Sequence, residues 1–521
     1  MPVARLPRSR WIWLPVVVVL SACFFVRKVT VVEVDRGSDS VQVRTPVKAH
    51  LIDGATVVYP AGVLVLRNNL VGQGTWYDLT LRNPRPISAL TLDSIVGLES
   101  YQTGIDGGAS VGLSLLATAG TIGAGVAIAC AIDPKCFGSC PTYYSDSAGT
   151  PVLEAEGFSY SVAPLFEARD VDRLRGRPGA DGFFQLEVRN EAFETHYINH
   201  LELLEATHLP GQTVLPDHEG LPLALSRQMP ALAATDRSGR NVLEVVRAAE
   251  GEVYSTAVQV MDQVSRGELE DWIELSWSDT RPGDSVALVL RLRNSLLNTV
   301  LLYDIMLGDP GARALDWQGR HLARIGPALE LGAWYGSKMG MAVEVWRENE
   351  WVPVARVKDS GPVAWKDVAV PLVSTGSNLR VRLRFPADNW RIDRIALADG
   401  FSRPALRVLP LAELNSLEGT PEPEALAAAT GNDDRYLQTQ AGQAFIARWN
   451  VGAAPGNLER SFLLASQGYY IEWVRRGWIA SSRDTVTFQP NDGALQHAIL
   501  RWRQAQDSLE QRFFATRVPV R

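Results

Sequence analysis

Histidine and cysteine are scarce in this chain, seven and four among 521 residues. So few imidazoles leave little for histidine-based catalysis. An excess of positive charge is also missing: 51 basic residues face 58 acidic ones, for a formal charge of −7. Nucleic-acid binders carry a basic patch, and this balance argues against one. Lysine is nearly absent, six against 45 arginines, a skew of the kind codon bias produces. No His-Glu-x-x-His, Walker loop or Ser-x-x-Lys set occurs, and no nucleotide, flavin or haem pattern. The sequence therefore assigns no catalytic residue, no metal site and no cofactor. Paired carboxylates escape such a search, because glycosidases place them by fold and not by spacing. Glu154 and Glu156 lie on one strand face and read as solvated side chains.

What is present suffices for several cores. At 46% apolar and 21% charged residues the composition is not that of a disordered chain. Its length corresponds to about three or four domains. At the amino terminus, Arg5, Arg8 and Arg10 precede an apolar run that begins at Trp11, is interrupted by Pro15, and ends in Leu20-Ser21-Ala22-Cys23. A basic region, a short apolar core and small residues before a cleavage point describe an export signal. From Trp11 to Val26 there are 16 residues, just under the roughly 17 to 25 that span a bilayer.

The stretch Leu20-Ser21-Ala22-Cys23 resembles the lipobox of bacterial lipoproteins. That resemblance covers only the first 23 residues. It implies that the signal is cut before Cys23, and that the Cys23 thiol and the new amino group are acylated. Two or three acyl chains make a stable anchor, whereas one is marginal. Phe24 stands where an Asp would favour retention in the inner membrane, so the resemblance implies the outer membrane in a cell that has two. The alternative is an uncleaved signal anchor or an ordinary signal cut nearby. Removal of residues 1–22 takes away three arginines and brings the formal charge to −10.

A second apolar segment, Gly107 to Ile132, has no charged residue in 26 positions. Small residues recur at four-residue spacing (Gly108/Gly112, Gly120/Ala124, Gly123/Ala127), which allows close helix packing. The run is long enough to span a membrane, but its glycines weaken a free-standing helix. A packed or membrane-apposed hairpin is the preferred reading and a true span the other. Cys136 and Cys140 flank Phe-Gly-Ser, a loop short enough for a disulfide in an oxidising compartment. Free thiols are the second reading. Zinc would want another ligand pair nearby, and none is present. Cys130 reads as a small buried apolar residue.

Elsewhere short β-rich runs alternate with turn signals, so the expected fold is mainly β and multi-domain, with antiparallel modules and a few helices. The expected divisions are a signal (1–22), a membrane-proximal β module (23–106), the apolar segment (107–132), a β module holding Cys136 and Cys140 (133–235), a sandwich (236–410) and a C-terminal β module ending in a helix (411–521). His196, His200 and Glu202 invite a metal site. On a strand, however, the two imidazoles lie roughly 13 Å apart, too far for one ion. Leu379-Arg-Val-Arg-Leu-Arg-Phe385 alternates as a half-buried strand should. With Ile392-Asp393 it resembles the closing strands of galactose-binding-like jelly rolls over about 60 residues. That resemblance implies a binding module more than an enzyme, although fold alone does not fix function.

Twelve of the fifteen tryptophans lie between 272 and 502. Trp346 and Trp351 flank a hairpin turn, and Trp365 and Trp390 begin strands. These four are candidates for a ligand platform, with core filling as the competing reading. The expectation is a lipid-anchored envelope protein without catalytic activity, attached to the membrane through Cys23. It would act as an interaction or scaffold protein on envelope proteins, or alternatively as a glycan binder. A divergent carboxylate hydrolase is a third reading. Nucleic acid is not an expected partner.

Overall fold

The computed structural model describes residues 40–78, 84–101, 140–147, 149–249, 251–278, 280–308, 311–431, 433, 435–452, 456–480 and 490–520. Contacts divide the chain into two units, Met1–Ser40 and Val41–Arg521, and the second carries the described fold. Cys23 and the whole 107–132 segment lie outside the described residues. Among the described residues no helix is long and apolar enough to cross a membrane.

Strands dominate, and all the named pairings are antiparallel. The first seven are β1 (Val41–Val43), β2 (Val47–Leu51), β3 (Thr56–Tyr59), β4 (Val63–Val65), β5 (Asn69–Tyr77), β6 (Arg85–Thr91) and β7 (Ile95–Ser100). They make one sheet in the order β1-β4-β5-β3-β2-β7, with β6 on β5. Next, β8 (Thr142–Ser147), β9 (Thr150–Glu156), β10 (Ala168–Leu174), β11 (Phe183–Arg189) and β12 (Glu194–His208) lay down part of a first sandwich. A hairpin follows, β13 (Thr213–Pro216) and β14 (Pro222–Leu225).

A second sandwich is complete within 228–398. Its strands are β15 (Gln228–Pro230), β16 (Ala233–Asp236), β17 (Glu270–Ser278), β18 (Ser285–Asn294), β19 (Met341–Arg347), β20 (Glu350–Val357), β21 (Lys366–Val373), β22 (Asn378–Pro386) and β23 (Trp390–Ala398). Sheet β15-β23-β18-β21 faces sheet β16-β17-β22-β19-β20. The core between them follows from the period of two: Leu379, Val381, Leu383 and Phe385 point inward from β22 while Arg380, Arg382 and Arg384 point out. Each such inward side chain contributes roughly 1.5–3 kcal/mol. The β19–β20 turn is carried by Glu348 and Asn349, both at positive φ, the geometry a two-residue hairpin loop requires.

The chain then returns to the first sandwich. β24 (Phe401–Ser402) pairs with β14, and β25 (Ala405–Pro410), β26 (Glu413–Asn415), β27 (Leu437–Thr439), β28 (Ala444–Asn450) and β29 (Glu459–Glu472) complete it. Sheet β10-β29-β12-β25, with β27 on β12, faces β26-β28-β11-β8-β9 across a core that includes Phe184, Leu201, Trp449 and Leu464. A last short strand, β30 (Val474–Arg475), pairs with β7. The second sandwich is therefore inserted in the first. The expected boundaries at 235 and 410 are crossed by pairing: residues 142–208 and 405–472 share two sheets, because β11 and β12 find their partners in β28 and β29 rather than nearby.

Helices fill the remaining space. Between β18 and β19 the chain makes α1 (Leu297–Thr299), which runs on in wider π-type turns over Val300–Gly308, and α2 (Ile325–Lys338). The terminal helix α3 (Asp492–Ala515) is N-capped by Asn491, whose side chain accepts from the Ala494 N–H. Its apolar face, Leu495, Ile499, Trp502, Leu509 and Phe513, joins one core with the π-type turns and the N-terminal sheet. The β13–β14 hairpin is a wedge between the sandwiches. Leu215, Leu223 and Leu225 meet Val289 and Ala396 of one, while Val214 and Ala224 meet Leu204 and Leu463 of the other.

Candidate functional site

The tryptophan candidates separate on inspection. Trp390 is fully buried in the core of the second sandwich, so it cannot serve as a platform; its place at the start of β23 falls on the inward phase. Trp346 and Trp351 face each other across β19 and β20, half-buried, with ring centroids 5.1 Å apart at 67°. Their rings are not bare. The Arg380 guanidinium lies 4.7 Å from Trp346 and 5.2 Å from Trp351, and Arg382 lies 4.8 Å from Trp351 and 5.7 Å from Trp272. Arg237 continues the row at 4.7 Å from Trp272. Trp365 is likewise half-buried, with Arg291 and Arg293 over its ring at 5.6 and 5.1 Å. Beneath the row, Glu344 is buried and accepts from Arg382 Nε at 2.6 Å and Arg384 Nε at 2.9 Å.

His196 and His200 both lie on β12, on either side of a register shift. His196 is buried against Glu194 Oε1 at 2.7 Å and Thr439 Oγ1 at 3.2 Å; His200 pairs with Glu202 at 2.9 Å. The two are not brought together on one ligand position. Cys140 is buried and is a free thiol among the described residues; Cys136, its expected partner, lies outside them. Burial pushes the Cys140 thiol well up, so it stays protonated and is a poor nucleophile.

Glu154 and Glu156 are not solvated; both are buried. Glu154 accepts from Ser145 Oγ at 2.5 Å and from the Arg175 N–H at 2.7 Å. Glu156 Oε2 accepts the N–H groups of Val363 and Ala364, at 2.7 and 3.0 Å. The cover comes from the second sandwich, some two hundred residues later, which strand alternation does not reveal.

Glu156 lines one of two adjoining cavities. Where the two sandwiches and the inserted helices meet, an apolar chamber of about 260 Å³ is lined by Tyr160, Val162, Phe166, Leu302, Leu331 and Met339, with Arg356 and Lys358 also on its wall. Next to it lies a smaller chamber of about 30 Å³, and Leu302, Tyr335 and Asp359 line both. Cys140, Glu156, Ser159, Asn298, Tyr303 and Tyr470 contribute to the smaller one. Junctions between domains are where ligand sites concentrate.

The small chamber is rich in acceptors. Asp359 Oδ1 accepts from Asn294 Nδ2 at 2.8 Å and Asn389 Nδ2 at 3.0 Å. Its Oδ2 closes no hydrogen bond among the described residues, although Tyr335 and Asn298 lie beside it. Glu156 Oε1, Ser159 Oγ and Asn298 Oδ1 are in the same position. Burial raises the Glu156 carboxyl to about 7 against the pull of the Ala364 and Val363 N–H groups. Burial also raises Asp359, against the Tyr335, Asn294 and Asn389 side chains. Gly361 makes the wall: at φ +87°, a Cβ there would lie 2.4 Å from Ser159 Oγ and 2.6 Å from Glu156 Oε1.

These residues come from five separate stretches of chain, and neither Asp359 nor Tyr335 carried a signal in the sequence. The sequence also holds Gly108-Ala-Ser110-Val-Gly112, which spells the Gly-x-Ser-x-Gly of a hydrolase nucleophile elbow. It lies outside the described residues. A run so rich in small residues yields that spelling readily.

No protein-family model matches the chain, and no curated protein matches it. Among solved structures the chain is similar to the GH31 alpha-xylosidase from Xanthomonas citri, at 9% identity and a TM-score of 0.15. The likeness covers 83% of this chain and 38% of that one. A TM-score so low carries no argument about fold or chemistry.

Proposed function

We propose that the protein is a lipid-anchored protein of the bacterial envelope that works by binding and not by turnover, and that its ligand site is the cavity between the two sandwiches. The observation that carries this reading is the pairing of an apolar chamber with a polar recess along a shared wall of Leu302, Tyr335 and Asp359. Apolar walls with a few convergent polar groups are the usual make-up of a small-molecule site. The described polar groups form a recess without an activated nucleophile, since burial keeps the Cys140 thiol protonated. The anchor reading rests on Leu20-Ser21-Ala22-Cys23, and outer-membrane placement on Phe24.

Two measurements test it. Cys23→Ser should abolish lipid labelling and leave unprocessed or soluble protein; unchanged membrane attachment would sink the anchor. Gly336 lines the apolar chamber, and a Cβ there meets nothing within 4 Å, so Gly336→Leu can add bulk without a backbone clash. Thermal stabilisation by an envelope extract should weaken in this variant, and an unchanged response would count against the cavity.

A second reading is favoured by the Trp–Arg face of β17, β22, β19 and β20. Tryptophan and arginine are the residues enriched at protein interfaces. There the protein would hold an envelope partner. A sugar platform, by contrast, needs ring faces that these guanidiniums already cover on one side. Trp346→Ala with Trp351→Ala should release a crosslinked envelope protein while leaving the fold intact; retention of every partner would exclude this face.

A further inference from the structure

The recess tells which ligand chemistry the cavity accepts, an inference that rests on the cavity being the binding site. Glu156 Oε1 and Asn298 Oδ1 close no hydrogen bond among the described residues, Asp359 Oδ2 and Ser159 Oγ have only the adjacent Tyr335, Asn298 and Cys140 side chains, and all four residues line the small chamber. Asn298 Oδ1 is an acceptor only, as are the two carboxylate oxygens once ionised, and both carboxyl groups are almost wholly buried. A buried polar atom without a partner is costly, and more so when it is charged. These oxygens are left for a donor that the fold does not place on them. Tyr303, Tyr335 and Tyr470 also line the chamber, and tyrosine rings attract cations. Two acids and three rings around a space of about 30 Å³ suit a group close to a water molecule in size.

We infer that the cavity binds a primary amine on a small apolar body, with the ammonium donating to Asp359 and Glu156 beside the tyrosine rings and the body resting against Leu302, Leu331, Phe166 and Met339. A quaternary ammonium is too large for the recess. An anionic head would meet two carboxyl groups, and a neutral alcohol offers one donor where the ammonium offers three. The apolar chamber, about 260 Å³, sits at the small end of ligand sites, which run roughly 300–1,000 Å³. One aromatic ring or a short alkyl chain is the body it admits.

The test uses the full-length protein in detergent and three probes of one shape: 2-phenylethylamine, 2-phenylethanol and 3-phenylpropanoate, titrated by calorimetry. The amine is expected to bind at least about tenfold more tightly than the alcohol, with the acid weaker still. Asp359→Asn and Glu156→Gln keep the acceptor oxygens that serve Asn294, Asn389, Val363 and Ala364 and so should fold. Together they should abolish the preference for the amine. Gly336→Leu should weaken all binding while keeping the order of the probes. Equal binding of amine and alcohol, or tighter binding of the acid, would overturn the amine and leave the cavity standing as a site. Failure of all three probes up to about 10 mM would overturn both.

Discussion

Glu156 shows at one residue what the cavity requires of the fold. One oxygen holds two backbone N–H groups, the other faces the small chamber, and burial raises the acid to about 7. A carboxyl whose folded value lies above the ordinary 4.5 favours the folded state while it is protonated. Its contribution is therefore full below pH 4.5 and lost as pH rises through 7, by an amount on the order of 3 kcal/mol. Glu156→Gln should remove this part of the pH dependence: urea titrations at pH 5 and pH 8 should differ less in the variant than in the parent. If the two proteins lose the same stability between those pH values, Glu156 is not the group responsible. Gly361 is the companion case. Gly361→Ala combines an unfavourable φ with a side chain driven into Glu156 and Ser159, and should cost at least about 1–3 kcal/mol in the same assay. Neither residue was legible. Alternation along β9 pairs Glu156 with Glu154, but what covers Glu156 is set by Val363, Ala364 and Gly361, far away in sequence.

Whole strands were more readable than single residues. The three arginines of β22 announce an outward face by period alone, and the hairpin of β19 and β20 lies where the sequence indicates it. Contact between those arginines and Trp272, Trp346 and Trp351 was not legible, because it depends on lateral neighbours brought together by sheet order. Once the order β17-β22-β19-β20 is known, the row of alternating cations and rings follows. Its weakest point is the acid beneath it. Arg382 supports Trp272 and Trp351 and also shares the buried Glu344 with Arg384. Arg382→Ala leaves that carboxylate with one partner and takes one of two guanidiniums from each of two rings. A loss of about 2–3 kcal/mol is expected, with a shift in tryptophan fluorescence. Arg382→Lys should recover little, since an ammonium does not stack flat on indole. A neutral result for Arg382→Ala would mean that the row is solvated decoration.

For the molecule as a whole, the decisive fact is insertion: the chain leaves the first sandwich after β12, builds the second, and comes back at β25. Antiparallel β character could be read from short runs, but partners this distant could not, and so the two flanking modules looked separate. What keeps the sandwiches in register is partly ionic. Lys366, at the start of β21, reaches Asp170 at 2.5 Å and Asp172 at 2.9 Å on β10 of the other sandwich. Burial pushes the ammonium down, but the two aspartates outweigh it and hold it above its ordinary value. Burial raises Asp172 to about 7, with Lys366 pulling against it. Lys366→Met therefore leaves two buried carboxyl groups facing each other without a cation. At pH 8, where nothing remains to offset the negative charge of the cluster, the variant should lose about 3–5 kcal/mol. At pH 5 the loss should shrink, because Asp172, raised to about 7, is protonated there, and a raised acid favours the fold below its folded value. Adding Asp170→Asn and Asp172→Asn should recover most of the stability, since removing a whole buried charge cluster costs far less than removing one member. The same junction walls the cavity, so Lys366→Met should also loosen amine binding at pH 8 and spare it at pH 5. Equal losses at both pH values would show that the lysine acts through packing of its stem, and that the sandwiches are held by the apolar wedge of β13 and β14 alone.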